Sequence, residues 1–134
     1  MKPLRVLLVE DEFLIAMLFT EVLEGMGHNI CATESTEAGA VAAAARCDPD
    51  MMIVDARLRE GSGVSAVAKI LLTGHVPHVF VSGDVAGVKA LRPDAVVIQK
   101  PFFDSDLARA MKLALGTVAS PEPQTSPTAA AASD

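Results

Sequence analysis

With 134 residues and a formal net charge of −6, the chain has room for one hydrophobic core but not for two. Apolar residues make up 51% of it, mostly Ala, Val and Leu, with no Trp or Tyr. That composition suits a small α/β domain of buried aliphatic strands and Ala-rich helices. The acidic balance speaks against a nucleic-acid partner, which requires a positive face, and Cys31 and Cys47 are too few for a disulfide framework and read as reduced packing residues.

Leu4–Val9 is the first apolar run, lacking polar alternation as a strand buried on both faces does. It reaches acidic residues too soon for a secretory leader. Phe13–Met26 follows as an amphipathic helix, with Leu14, Leu18 and Val22 one turn apart, Thr20, Glu21 and Glu24 opposite, and Gly27 as its terminator. Asn29–Thr33 is a second short strand. Glu34–Arg46 is an Ala-rich helix capped by Ser35 or Thr36 and stopped at Asp48-Pro49.

Met51–Val54 is the third strand and runs straight into Asp55. A loop holding Gly61 and Gly63 leads to a helix over Val64–Leu72. His78–Val81 makes a fourth strand ending at Ser82, and Asp84–Leu91 a short, weakly supported helix. Ala95–Ile98 is the fifth strand, and Asp104–Leu115 a last amphipathic helix closed by Gly116. The longest uncharged apolar stretch, Ile70–Gly83, contains two His and a Pro and falls short of the ~20 residues a bilayer requires. A cytoplasmic protein without membrane contact is therefore expected. From about residue 119 to 134 the composition turns to Pro, Ser, Thr and Ala, and a disordered tail is expected there after a domain over 1–118.

Strand and helix alternating five times imply a parallel sheet with right-handed crossovers and helices on both faces. All strands then point one way, so Glu10 and Asp11, Asp55, Ser82 and Lys100, each at a strand's carboxyl end, converge on one edge of the sheet. Open α/β sheets bind ligands there. Three clustered carboxylates repel one another and call for a hard cation. Magnesium suits them, with manganese as a substitute, because it accepts one or two carboxylates and retains water and phosphate oxygens. A carboxylate can also attack phosphorus to give an aspartyl phosphate. Lys100 and the metal would flank the charge on the transferred group.

The acidic pair in VLLVEDE, the aspartate in MMIVDARLREGSG, the hydroxyl in VFVSGD and the lysine in IQKPF together resemble the response-regulator receiver family over about residues 4–116. The resemblance implies a flavodoxin-like sheet of order 2-1-3-4-5 and a phosphorylation switch in a two-component relay, not an enzyme acting on other substrates. It implies Asp55 as phosphoacceptor, Asp11, Asp55 and the Arg57 carbonyl as magnesium ligands, and Glu10 as a ligand through water. Ser82 becomes the switch hydroxyl and Lys100 the phosphate-contacting lysine before a cis Pro101, while Gly83 leaves room for the phosphoryl group. The implied partners are a histidine kinase or phosphotransfer protein upstream and a protein target downstream, met by the fourth helix, fifth strand and last helix.

Three positions depart from the family pattern. Arg59 stands where a proline is usual, which predicts a looser loop. Val97 replaces the aromatic switch residue. The Ser82–Lys100 segment is short, as in a subgroup of single-domain regulators with a glycine after the hydroxyl. His28, His75 and His78 read as loop and strand-start residues without a metal role. Arg57 and Asp84, each two residues past a site residue, are expected to pair across the mouth of the site. Two other functions stay open: a receiver-like interaction module that is never phosphorylated, and an aspartyl-phosphate phosphohydrolase. The second lacks the further Asp many such enzymes carry two residues past the nucleophile, where this chain has Arg57.

Overall fold

The computed structural model describes residues 2–116; the tail expected over 119–134 lies outside the described residues. Five strands, β1 (Arg5–Val9), β2 (Asn29–Glu34), β3 (Met51–Asp55), β4 (His78–Ser82) and β5 (Val97–Gln99), alternate with five α-helices. These are α1 (Phe13–Gly25), α2 (Glu37–Cys47), α3 (Gly63–Ile70), α4 (Val85–Leu91) and α5 (Asp104–Gly116), with a 3-10 turn at Leu71–Thr73 after α3. The strands form one parallel sheet in the order β2-β1-β3-β4-β5, as expected from the alternation.

Strand period two divides the core between the faces. Val6, Leu8, Met51, Ile53, Val79 and Val81 pack with α1 and α5 on one side. Leu7, Val9, Met52, Val54 and Phe80 pack with α2, α3 and Val88 of α4 on the other. Every residue of β3 is buried, which is why the sequence there shows no alternation. Burying each such side chain contributes roughly 1.5–3 kcal/mol, so β3 anchors the residue that follows its apolar run.

Boundaries shift by a few residues from the sequence reading. Glu34 ends β2 instead of opening α2, because its backbone carbonyl stays in the sheet and accepts from Glu10 N at 2.9 Å. Thr36 caps α2 through its side chain on Gly39 N at 3.0 Å, and Asp48 turns left-handed at its end, with φ 51°. β5 begins at Val97, two residues later than expected.

The buried face of α1 needs a larger correction. Ala16, Phe19 and Leu23 face the core, whereas Leu14 and Leu18 are 72% and 57% exposed; Val22 packs at the margin. Phe13–Phe19 is apolar nearly all round, so helical period alone cannot select a face there. Tertiary packing decides: Phe19 stacks on Phe102 of the β5–α5 loop with ring centroids 5.3 Å apart.

His28 is likewise more than a loop residue. It is buried, and its Nδ1 accepts from Leu4 N at 3.1 Å, fixing the start of β1. Burial lowers its pKa, in keeping with a neutral acceptor ring. His78 is also lowered by burial and packs edge-on to Phe80. Both stand apart from the carboxyl edge of the sheet.

Candidate functional site

The carboxyl ends of β1, β3, β4 and β5 border one open cleft of about 560 Å³, lined among others by Asp11, Asp55, Arg57, Ser82, Gly83 and Lys100. Strand register brings them together: Val9 lies beside Val54, Asp55 beside Val81 and Ser82 beside Gln99. Each polar residue follows an apolar strand whose burial sets its height at the edge.

Glu10, Asp11 and Asp55 form an acidic trio, one carboxylate oxygen of each lying within 4.8 Å of the others. Glu10 and Asp55 are buried. Glu10 Oε2 accepts from Glu12 N at 3.1 Å, while its Oε1 is buried with no hydrogen-bond partner among the described residues. Burial and, further down, the neighbouring Asp55 carboxylate push the Glu10 pKa up to about 7, against the Glu12 N–H. A buried acceptor left unpaired is costly, and a hard cation against the trio would satisfy it. The donor set, three carboxylates and no nitrogen or sulfur, matches magnesium rather than a softer metal.

Lys100 Nζ lies 3.0 Å from Asp55 Oδ2, and Arg57 N donates to Asp55 Oδ1 at 3.0 Å. Burial pulls the Lys100 ammonium down, but the Asp55 contact and the charges of Asp55, Glu10 and Glu12 outweigh it and raise its pKa. The Lys100–Pro101 peptide is cis. Ser82 Oγ accepts from Asp84 N at 2.9 Å, leaving its own proton free to donate. A Cβ on Gly83 would meet nothing within 4 Å, so position 83 opens onto free space. Val97 occupies β5 half-buried beside Phe80.

The Arg57–Asp84 pair expected across the mouth does not form. Asp84, exposed at the cleft, instead caps α4, its Oδ1 accepting from Gly87 N at 3.0 Å, and no ion pair joins it to Arg57 among the described residues. A cap two residues past Ser82 satisfies an otherwise orphaned helix N–H, which holds the carboxylate more firmly than a solvent-exposed arginine would. Arg57 remains at the cleft and bridges to Ser62.

The β3–α3 loop, where Arg59 suggested looseness, is tied by specific contacts at its α3 end. Glu37, the first residue of α2, accepts from Ser62 N at 2.9 Å and Ser65 Oγ at 2.7 Å, and lies 2.6 Å from Lys69 Nζ. Those contacts, Lys69 first, hold its carboxyl down to about 2. Gly61, at φ 87°, sits where any Cβ would strike the Glu37 side chain, and a Cβ on Gly63 would strike the backbone carbonyl of Asp55. The EGSG motif thus lets the chain approach the Glu37 side chain at Gly61 and the Asp55 backbone at Gly63. Glu37 escaped sequence reasoning because an acid at a helix start has a sufficient local explanation in the helix dipole.

Comparison with known proteins agrees with this fold. Residues 6–112 match the response regulator receiver domain. The phyllosphere-induced regulator PhyR of Methylorubrum extorquens is 34% identical over 115 residues, covering 83% of this chain and 43% of that protein. The transcriptional regulatory protein PdtaR of Mycobacterium tuberculosis is 32% identical, covering 84% and 57%. The solution structure of the PhyR receiver domain of Erythrobacter litoralis superposes with a TM-score of 0.81 at 28% identity, covering 92% of this chain and 98% of that domain. The chain thus spans about half the length of these curated relatives and nearly the whole of an isolated receiver domain. The family match, the relatives and the fold agree: the chain belongs to the response-regulator receiver family of two-component signalling.

Proposed function

We propose that this receiver accepts a phosphoryl group on Asp55 from a phosphohistidine on a kinase or phosphotransfer protein and signals through a protein contact. The observation that carries the reading is Asp55 itself: a buried carboxylate at the tip of a fully buried strand, 3.0 Å from Lys100 Nζ and clustered with Glu10 and Asp11. A divalent cation held by Glu10, Asp11, Asp55 and the Arg57 carbonyl would supply positive charge to the phosphoryl oxygens.

In the transfer, an Asp55 carboxylate oxygen forms the new bond to phosphorus while the bond from phosphorus to the donor imidazole nitrogen breaks, and the imidazole keeps that electron pair. Lys100 is placed to stabilise the charge gathered on the phosphoryl oxygens. Ser82 then offers its hydroxyl proton to one of them. Gly83 leaves the approach clear of side chains. Ser82 also accepts from Asp84 N, and Asp84 caps α4, so a pull on Ser82 reaches that helix directly. α4 has seven residues and buries only Val88, which makes it the weakest-anchored helix and the element a small shift can move. With Val97 in place of an aromatic, this hydroxyl-to-cap connection is the route we favour for the switch.

Output through protein contact follows from the same surface chemistry. Solved structures of PhyR from Bartonella quintana are described as those of an anti-anti-sigma factor, and by analogy this receiver's target is another regulatory protein. Phe13, Leu14, Met17 and Leu18 leave an exposed apolar patch on α1. It borders the cleft through Glu12 and Lys100, a position suited to docking the phosphodonor protein.

Incubation with a small acyl phosphate, with and without magnesium, followed by intact mass, tests the reading. A lasting adduct of one phosphoryl group that depends on magnesium is expected. No adduct at any time favours the pure interaction module, and consumption of the donor without accumulation favours the phosphohydrolase.

A further inference from the structure

Position 59 makes a contact that proline cannot. Arg59 N donates to Asp11 Oδ2 at 2.7 Å, and Arg59 Nε lies 3.9 Å from the same oxygen. The Asp11 side chain is only 11% exposed while that of Arg59 is 76% exposed, so a solvent-side cation reaches in to a sheltered carboxylate. The loop that carries Arg59 is held by Glu37 through Ser62 and by Gly63 N on Ala56 O at 3.0 Å. Within the trio, Asp55 has Lys100 as its positive partner and Asp11 has Arg59.

A divalent cation at the trio would need an oxygen of Asp11, and would meet the charge of Arg59 there. We propose that Arg59 is a positioning residue that sets the affinity of the trio for a divalent cation: its N–H fixes the Asp11 carboxylate, and its guanidinium competes with the cation for it. This rests on the reading of the trio as the cation site. The guanidinium is exposed, so its effect is modest and screened by salt.

Calorimetric titration of the folded chain with magnesium chloride tests it, comparing wild type with Arg59→Ala, Arg59→Gln and Arg59→Lys. The first two keep the backbone N–H and lose the charge. Their magnesium dissociation constants are expected to fall about two- to fivefold at low ionic strength, with the gap closing at high salt. Arg59→Lys is expected to stay near wild type. A role in loop rigidity alone would weaken binding in all three and would not follow salt. Equal or weaker binding in both neutral variants overturns the proposal. Absence of magnesium uptake by the wild type would instead show that the trio is not the cation site, and would remove the proposal with it.

Discussion

Lys100 and Asp55 stand at the ends of different strands and meet at 3.0 Å, a contact between a part-exposed cation and a buried anion. On the proposed mechanism, Lys100→Met should slow phosphoryl acceptance from a small acyl phosphate by roughly 100-fold, as loss of one charge-stabilising donor does. Magnesium binding by calorimetry should survive, since the lysine repels a cation. A rate close to wild type would remove Lys100 from the transfer step. These two residues were legible because each stands at the carboxyl end of a strand, just past an apolar run, and lacks any local reason to be there. Arg59 and Glu37 were not. Their partners, Asp11 and Ser62, lie 48 and 25 residues away in sequence, and no local pattern announces such contacts.

Among the elements, the order and type of all five strands and helices could be read from apolar runs and turn residues, but the inward face of α1 could not. FLIAMLF is too uniformly apolar for period to decide, and the Phe19–Phe102 stack makes the choice. Leu14→Ser should therefore shift stability in urea by no more than about 0.5 kcal/mol, whereas Leu23→Ala should cost about 2–5 kcal/mol; the reverse order would contradict the packing. Gly63→Ala drives a methyl into the Asp55 carbonyl and should cost about 1–3 kcal/mol, measured the same way.

The Glu37 clasp makes a pH prediction. Its carboxyl is held at about 2 in the folded chain against an ordinary 4.5, so its contribution to stability is complete above 4.5 and fades as pH falls from there towards 2. Relative to Glu37→Gln, the wild type should lose its advantage in thermal midpoint across that window. A constant difference would mean that the contacts of Glu37 owe nothing to its charge.

At the scale of the molecule, a sheet of order β2-β1-β3-β4-β5 gathers on one edge what the sequence scatters over 91 positions, from Glu10 to Lys100. That convergence follows from parallel strands and was foreseeable; the orientation of Asp84 was not, because a helix cap and an ion pair compete for the same carboxylate. The apolar patch on α1 and the lightly anchored α4 lie on opposite faces of the sheet; in the proposed function the first receives the donor protein and the second relays the change.

The most direct test of the whole account is the position of the phosphoryl group. After reaction with an acyl phosphate and magnesium, borohydride reduction and peptide mass mapping should convert one residue, Asp55, to homoserine, and Asp55→Asn should abolish the conversion. Reduction at another carboxylate, stable phosphate on Ser82 or a histidine, or an unchanged yield in Asp55→Asn would contradict it.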